Sequence, residues 1–196
     1  MPEDYELSAK LNMLDRAWIA CIVGHGAIGQ TRSNGEPYSN HPIEVATICE
    51  NYGGSTLAKC VALCHDLLED TDLTRDVLAI QVHPSVADGV KELTNIYTKE
   101  NFPHMDKHTR ETQENARIAE ISDGAKFVKL CDIMHNISDL DKMPEEWATK
   151  YLCSKGRQVE AALRPDKLDC PDRREYNLLY SDVCAKVREM AYKLGV

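Results

Sequence analysis

Apolar residues recur at a spacing of three to four along most of the chain, which is the period of an α-helix. The first run of this kind predicts one amphipathic helix. It consists of Leu7, Leu11, Leu14, Trp18 and Ile22. A glycine-containing segment begins at Gly24, and because glycine and polar clusters interrupt helices, we expect a loop over residues 24–40.

Helical patterns continue to the end of the chain. The pair His41-Pro42 favours a helix start, since proline suits the first helical turn. Ser55 is a good N-cap for the next helix. The expected helices span about residues 41–52, 55–68, 74–82, 85–93, 106–121, 124–140, 144–163 and 172–195. No convincing alternating strand pattern is present, so the pattern predicts an all-α protein.

The domain organisation follows from length and from the absence of internal repeats. A chain of 196 residues favours one domain and can bury a core without metal or disulfide support. We predict a single domain over residues 1–196, with a core at about 5–160 and a C-terminal helix at about 172–195 packed on it. The polar stretch 95–107 is a surface loop or, alternatively, a lid.

Composition and charge narrow the function classes. Hydrophobic residues make up 43% of the chain, so the sequence is not that of a disordered protein. A net charge of -9 argues against a general nucleic-acid binder, which needs a basic face. No run approaches the ~20 apolar residues of a membrane helix, and the acidic N-terminus is unlike a signal peptide. We expect a cytoplasmic protein with a small-molecule partner and with neither a membrane nor a nucleic-acid partner, and a homo-oligomer stays open.

The eight cysteines are scattered and contain no CxxC pair. This spacing does not favour a cysteine zinc site. Most of the cysteines stand in apolar helical contexts, and we interpret them as small buried hydrophobic residues of a protein in a reducing compartment.

The segment VALCHDLLEDTD at 61–72 carries the strongest chemical signal. His65 and Asp66 interrupt an apolar run, and charged groups are rarely buried unless they are paired or bound to a metal. Glu69 and Asp70 follow one turn later, on the same helix face. A salt-bridged helix end is the alternative. Acidic residues near a helix C-terminus oppose its dipole, however, and few basic residues are close in sequence.

Two further segments supply matching side chains. His41 opens a helix, where a lone histidine is more often a cap or a core residue. Asp132 stands among the apolar positions of the helical pattern over 127–140, where a buried carboxylate needs a partner. Asn136 follows one turn later on the same face. The two histidines and two carboxylates suit manganese, iron or zinc, with room for water or a phosphate oxygen. These four predicted ligands are His41, His65, Asp66 and Asp132.

The order His…His-Asp…Asp is the signature of HD-domain phosphohydrolases. Three segments make the resemblance narrower: TRSNGEPYSNHPIEVA (31–46), ALCHDLLEDTD (62–72) and VKLCDIMHNISDL (128–140). Over roughly residues 5–160, the chain resembles the hydrolase domain of RelA/SpoT enzymes, above all the small single-domain alarmone hydrolases related to the metazoan SpoT homologue. This resemblance implies an all-helical HD-domain bundle.

The resemblance also implies roles for individual residues. The four predicted ligands would hold Mn²⁺, although another divalent transition metal suits them too. Glu69 and Asp70 correspond to the pair that orients and deprotonates the attacking water. Residues matching the substrate site are Arg32, Asn136, Tyr151 and Lys155. The implied reaction removes the 3′-pyrophosphate of guanosine 3′,5′-bis(diphosphate)-type alarmones, giving GDP or GTP and pyrophosphate.

Two departures from the family pattern are visible. Ile133 stands where full-length RelA/SpoT proteins usually have a basic residue, as is more typical of the small homologues. No synthetase domain follows residue 196, so we do not expect alarmone synthesis. Lys126, Lys129 and Lys142 are candidate phosphate contacts, and solvated helix surface is the plainer interpretation of all three.

Other functions stay open at this point. The substrate could be an adenine alarmone, NADPH through its 2′-phosphate, or a dNTP, although the segment GEPYSNHP disfavours the last. An HD fold can also lose catalysis and keep ligand binding, but such proteins usually lack part of the acidic set. A purely structural helical protein would have to bury two carboxylates without a metal, which is costly.

Overall fold

The computed structural model describes residues 11–169 and 173–196, and the regular elements in these ranges are helices. An isolated antiparallel bridge joins Thr31 to Pro37. The helices are α1 Met13–Ala27, α2 Asn40–Asn51, α3 Thr56–Cys64, α4 Leu67–Asp70, α5 Arg75–Gln81, α6 Pro84–Leu93, α7 Lys107–Ala119, α8 Asp123–Ser138, α9 Glu145–Ala162 and α10 Arg174–Leu194, with 3₁₀ turns at Leu140–Lys142 and Pro165–Lys167. The all-α prediction is confirmed.

Helix α8 is the centre of the bundle. Its residues 125–133 are all buried, as expected for a helix surrounded by other elements. Helices α2, α3, α6, α9 and α10 pack against it. The α2–α8 and α3–α8 contacts bring the start of α2, the end of α3 and the middle of α8 to one place inside the protein.

Side-chain caps explain several helix starts. Ser55 accepts a hydrogen bond from the backbone N–H of Ala58 at 3.1 Å, as predicted. Thr74, Asp106 and Ser122 cap α5, α7 and α8 in the same way. Each cap satisfies a backbone donor that the first helical turn leaves free. From α2 onward, the predicted starts therefore agree with the structure to within two residues. The first helix differs, because its predicted run includes Leu11 whereas α1 begins at Met13, after the N-cap Asn12.

The predicted break at Gly24 is wrong, because α1 continues to Ala27. A Cβ on Gly24 would lie 2.6 Å from Cδ2 of Leu67, so this glycine allows α1 to approach α4 closely rather than ending the helix. The turn comes later, at Gly29, whose φ of 62° is left-handed. Leu7, the first residue of the predicted run, lies outside the described residues.

The predicted helix over 55–68 is also interrupted. Helix α3 ends at Cys64 and α4 begins at Leu67, so His65 and Asp66 stand in the turn between them. The His65 Nδ1 atom lies 2.8 Å from the carbonyl oxygen of Ala62, the group that would accept from the backbone of Asp66 in a continuous helix. The side chain competes with the helix at this point.

The stretch 95–106 begins with well-anchored backbone. Oε2 of the buried Glu114 accepts hydrogen bonds from the backbone N–H groups of Ile96 and Tyr97, at 3.1 and 3.0 Å. Arg117 donates to the carbonyl of Thr94 and pairs with Glu114. The first residues of this stretch are therefore fixed to α7 by hydrogen bonds to their backbone, which a plain surface loop would not have.

The C-terminal helix α10 packs against α8 and α9. Its buried Tyr176 donates a hydrogen bond to the carbonyl of Leu163 at 2.8 Å. Among the described helices, none is long and apolar enough to span a membrane.

The cysteines mostly follow the prediction of burial. Cys153 is exposed and Cys184 is half-buried, whereas Cys170 lies outside the described residues. The buried ones are Cys21, Cys49, Cys60, Cys64 and Cys131.

Candidate active site

The four predicted ligands converge inside the bundle. His41 Nε2 lies 3.2 Å from Oδ1 of Asp132 and 3.6 Å from Oδ2 of Asp66. His65 Nε2 lies 3.1 Å from the same Asp66 oxygen and 3.7 Å from the same Asp132 oxygen. Ligand atoms of His41, His65 and Asp132 all lie within 4.8 Å of one another, and these three residues are buried.

The hydrogen bonds of the two imidazoles fix which nitrogen faces the cluster. The Nδ1 of His65 must carry its hydrogen, because the Ala62 carbonyl 2.8 Å away can only accept. Nε2 of His65 is buried and, although Oδ2 of Asp66 lies 3.1 Å away, it makes no well-aligned hydrogen bond in the described part of the chain. A buried nitrogen without a partner is costly, and a metal ion would supply one.

His41 is oriented by a second histidine. Its Nδ1 lies 2.8 Å from Nδ1 of His135, so one ring donates to the other and His41 directs Nε2 at Asp132. Metal-binding histidines commonly use their second nitrogen in this way. Desolvation by burial and the nearby His41 lower the pKa of His135 to about 4, so it is a neutral partner.

The electrostatics of the cluster also fit a cation. Burial opposes protonation of His65, but Asp66 and Asp132 raise its pKa well above the usual value. Burial alone would raise the pKa of Asp132, yet Lys129 and the histidines lower it well below its usual range. The two carboxylates thus favour positive charge between them. Imidazole and carboxylate donors suit a divalent transition metal, so the residues fit the predicted metal ion.

Further side chains orient the two carboxylates. The Tyr38 hydroxyl donates to Oδ2 of Asp66 at 2.7 Å. Asn136 donates to Oδ1 of Asp132 at 2.6 Å, and Lys129 donates to Oδ2 at 3.0 Å. The predicted contact of Asn136 is therefore close to the cluster, and its amide touches a candidate metal ligand directly.

The lysines differ from one another. Lys129 and Lys126 are buried, so the surface interpretation is wrong for both. Lys126 donates to the carbonyl of Lys167 at 2.6 Å and has a structural contact. Lys142 is exposed and pairs with Asp139.

The two acidic residues after the cluster are held by different parts of the chain. Glu69 accepts from the backbone N–H and the side-chain amide of Asn95, at 2.7 and 3.2 Å. Asp70 accepts from Nε2 of Gln30 at 2.9 Å. Both carboxylates are exposed at the mouth of the site. Desolvation by the surrounding protein raises the pKa of Glu69, against the hydrogen bonds from Asn95.

A pocket of about 600 Å³ adjoins the cluster. Tyr38 and Asn136 line it, and each also contacts a candidate metal ligand. Arg32 and Tyr151, two of the predicted substrate residues, line the same pocket. Trp147 stacks on Tyr151 with ring centroids 5.0 Å apart. A larger groove of about 840 Å³ lies between α7, α9 and α10 and contains none of these residues.

Lys155 does not line this pocket. Its Nζ lies 5.6 Å from the ring centroid of Tyr151 and donates to Oε1 of Gln158 at 3.3 Å. Burial and the nearby Lys129 lower the pKa of Lys155 to about 8. Of the four predicted substrate residues, it is the one placed behind the pocket wall.

Several site residues are not predicted from the sequence, and Lys129 is predicted only as a candidate phosphate contact. Lys129 and His135 stand three residues before and after Asp132, and that helical spacing could have indicated their contacts with the cluster. Tyr38 is within the quoted motif YSNHP. Gln30 and Asn95 gave no local signal, because their partners lie 40 and 26 residues away in sequence.

Comparison with known proteins agrees with the motifs. The HD domain family matches residues 17–164, a range that includes all three quoted segments. Guanosine-3′,5′-bis(diphosphate) 3′-pyrophosphohydrolase MESH1 of Homo sapiens is 34% identical over 147 residues, which cover 66% of this chain and 79% of that protein. The Mus musculus protein of the same name is 37% identical over 147 residues, with the same coverage.

A solved structure gives the same fold. It belongs to a metazoan orthologue of SpoT described as hydrolysing ppGpp, and its TM-score is 0.70 at 22% sequence identity. The match covers 93% of this chain and 96% of that one. The resemblance inferred from the motifs is thereby confirmed, and so is the HD-domain bundle.

Proposed function

Because the chain belongs to the HD domain family, we propose that it hydrolyses guanosine 3′,5′-bis(diphosphate)-type alarmones at the 3′ position. The products are GDP or GTP and pyrophosphate. The chain is a metal-dependent phosphohydrolase by class, and the relatives of Homo sapiens and Mus musculus are named for this reaction. The observation that carries the proposal is the cluster of His41, His65, Asp66 and Asp132 beside a pocket lined by Arg32.

The metal that we propose is Mn²⁺, with other divalent transition metals as alternatives. The residues that would hold it are His41, His65, Asp66 and Asp132. When bound, such a cation polarises the phosphate group and favours ionisation of water. Two observations support this assignment: Nε2 of His65 faces Asp66 and Asp132 without a well-aligned hydrogen bond, and the pKa of Asp132 is low.

Water activation falls to the two acidic residues at the mouth of the site. The water oxygen attacks the phosphorus that is bonded to the ribose 3′ oxygen. A bond forms between the water oxygen and the phosphorus, and the bond between the phosphorus and the ribose 3′ oxygen breaks. A carboxylate of Glu69 or Asp70 accepts the water proton, and the ribose oxygen takes up a proton as it leaves. Desolvation raises the pKa of Glu69, which favours Glu69 as a proton acceptor, since general-base catalysis is best when the pKa of the base approaches the working pH.

The pocket provides contacts for the nucleotide. A volume of about 600 Å³ is in the usual range for small-molecule sites. The Arg32 guanidinium is planar and always charged, so it can stack on a base or bind a phosphate. Asn136 and Tyr151 line the same wall, and we propose them as further substrate contacts. Lys155 would add positive charge from behind Tyr151.

A product assay tests the proposal. We would incubate the full chain and Mn²⁺ separately with ppGpp, pppGpp, ppApp, NADPH and dNTPs, and resolve the products by anion exchange, with EDTA as a control. Release of pyrophosphate from the guanosine alarmones, abolished by EDTA, is the expected result. Orthophosphate from NADPH alone, or turnover of ppApp or dNTPs alone, would contradict the substrate assignment.

A variant pair tests the roles of the acidic residues. Glu69→Gln and Asp70→Asn should keep Mn²⁺ binding by calorimetry and lose most turnover. Asp72→Asn is the matched control, because Asp72 is exposed and lies in a different pocket. Wild-type rates in both acidic variants would contradict the proposed water activation.

A further inference from the structure

A buried histidine at the end of α1 is not used by the proposed reaction. His25 is 1% exposed, and its ring centroid lies 4.9 Å from that of Tyr38. Its Nδ1 lies 2.7 Å from Oε1 of Gln30. The same Gln30 side chain donates through Nε2 to Oδ2 of Asp70 at 2.9 Å. His25, Gln30 and Asp70 thus form a chain of hydrogen bonds from the core to the mouth of the site.

The donors and acceptors of these three side chains allow only one direction for the hydrogen bonds between them. An ionised carboxylate can only accept, so Gln30 must present its NH₂ group to Asp70. The amide oxygen of Gln30 then faces His25, whose Nδ1 must donate. The Nε2 atom of His25 is buried and has no hydrogen-bond partner within residues 11–169 and 173–196.

Folding alone does not account for this arrangement. The backbone already fixes the turn, since Gln30 N–H donates to the His25 carbonyl at 3.1 Å and the Tyr38 N–H donates to the Gln30 carbonyl at 3.0 Å. The Asp70 side chain is exposed, so water could satisfy it. A buried imidazole with one unpaired nitrogen is costly, and such groups are often retained at functional sites.

We propose that Gln30 is a positioning residue for Asp70 and that His25 fixes the orientation of the Gln30 amide. The hydrogen bond occupies Oδ2 and leaves Oδ1 to accept from the attacking water. A carboxylate with one oxygen held points its other oxygen in a defined direction, which favours a productive water position. This inference rests on the proposed function to the extent that Asp70 acts on water.

The first test does not depend on the substrate. Long-range ¹H–¹⁵N NMR spectra distinguish the two tautomers of a neutral histidine, and His25→Gln identifies the His25 signals by their loss. The wild-type protein should show His25 with its hydrogen on Nδ1. Gln30→Met should alter that pattern and leave the other histidines unchanged. A wild-type His25 with a hydrogen on Nε2 and none on Nδ1 would overturn the proposal.

The second test measures turnover. Gln30→Met should lower kcat about tenfold, as expected for loss of one hydrogen bond to a charged group, and should leave KM within about twofold. In an Asp70→Asn background the same substitution should cause no further loss, because Gln30 acts through Asp70. An equal loss of kcat in both backgrounds would overturn the positioning role.

Controls separate the outcomes. Ile28→Ala changes an exposed side chain in the same turn and should have wild-type kinetics. Thermal melting of Gln30→Met excludes loss of folding as the cause of a lower rate. A wild-type protein that turns over no alarmone would contradict the proposed function, whereas the tautomer of His25 would still decide the link between His25 and Gln30.

Discussion

The backbone N–H of Asn95 donates to Oε1 of Glu69 at 2.7 Å, and the Asn95 side chain donates to Oε2 at 3.2 Å. One residue at the start of the stretch 95–106 therefore contacts both oxygens of a proposed general base. Because Glu114 and Arg117 of α7 fix the backbone around Asn95, this contact depends on the packing of α7.

Removal of the Asn95 side chain should lower kcat. Asn95→Ala keeps the backbone bond to Glu69 and loses the amide bond, so we expect a loss of about threefold to tenfold. Asn95→Asp should lose more, because a second carboxylate beside Glu69 repels its charge. Steady-state kinetics at saturating substrate measures both effects.

Asn101→Ala is the matched control for Asn95. The Asn101 side chain donates to the carbonyl of Ile96 in the same stretch and does not contact Glu69. Its kcat should stay within about twofold of the wild-type value. If Asn101→Ala and Asn95→Ala lost equal activity, the effect would belong to the stretch as a whole and not to the bond with Glu69.

Arg32→Ala should weaken substrate binding more than turnover. Arg32 lines the pocket with Tyr151 and has no contact with Glu69 or Asp70, so KM should rise about tenfold or more while kcat changes little. Arg75→Ala removes an arginine that pairs with Asp88 on α6 and serves as the control. An unchanged KM in Arg32→Ala would argue against a nucleotide contact.

Metal binding should stabilise the fold. A ligand at ~100 times its Kd adds about 2.7 kcal/mol to the free energy of unfolding, which is roughly 5–10 °C in Tm for a chain of this length. Asp66→Asn keeps the hydrogen bond from Tyr38 but removes a charge, so most of this increase with Mn²⁺ should disappear. Asp72→Asn should keep it. Equal Tm increases in both variants would contradict a role of Asp66 as a ligand.

The pKa of about 8 at Lys155 predicts a pH effect on binding. Below that pH the side chain is charged and attracts phosphate, so KM should rise as the pH increases through about 8. Lys155→Met should raise KM at neutral pH and remove this dependence. The charged groups that influence Lys155 are Lys129, Asp132, Glu69 and Glu111.

The stability of the fold changes with pH in the favourable direction, whereas substrate binding weakens as the pH rises. The unfolded chain keeps the Lys155 proton up to about pH 10.4, whereas the folded protein loses it at about 8. The unfolded state binds more protons between these values, so the folded state gains stability as pH rises through this window. The difference in Tm between the wild-type protein and Lys155→Met should therefore shift in favour of the wild type from pH 7 to 9. A constant difference would contradict the lowered pKa.

The sequence predicted the helices and the candidate metal ligands for a common physical reason. A carboxylate or imidazole inside an apolar helical phase is costly, so His65 and Asp132 were conspicuous among their neighbours. The same reasoning could not find the break at His65-Asp66, because that break depends on one side chain competing for the Ala62 carbonyl. Helical period alone predicts a continuous helix there.

Residues that orient the site were harder to predict. Gln30 and Asn95 are ordinary polar residues of connecting segments, and nothing local distinguishes them from solvated positions. Their contacts with Asp70 and Glu69 arise only when α1 and α7 have packed. For a similar reason, the sequence offers Lys129 only as a phosphate contact or, more plainly, as solvated surface, since a lysine in a helix is usually solvated.

Lys129 gives the most demanding test of the cluster. Its Nζ donates to Oδ2 of Asp132 at 3.0 Å, and both side chains are less than a tenth exposed. Lys129→Met keeps the apolar stem and removes the ammonium group, so the buried Asp132 loses its lysine partner while its contacts with His41 and Asn136 remain. Breaking a buried pair in this way costs about 3–5 kcal/mol, so the metal-free variant should melt roughly 6–20 °C lower.

Mn²⁺ should rescue much of this loss, because a cation bound to His41, His65 and Asp132 neutralises the charge that Lys129 leaves behind. The increase in Tm on adding Mn²⁺ should therefore be larger in Lys129→Met than in the wild-type protein. Lys126→Met is the matched control, since Lys126 is equally buried in α8 but donates to a backbone carbonyl. It should lose stability without a larger metal response. If Mn²⁺ raised the Tm of both lysine variants by the same amount, this would contradict the expectation that Lys129 and the metal ion both neutralise the Asp132 carboxylate.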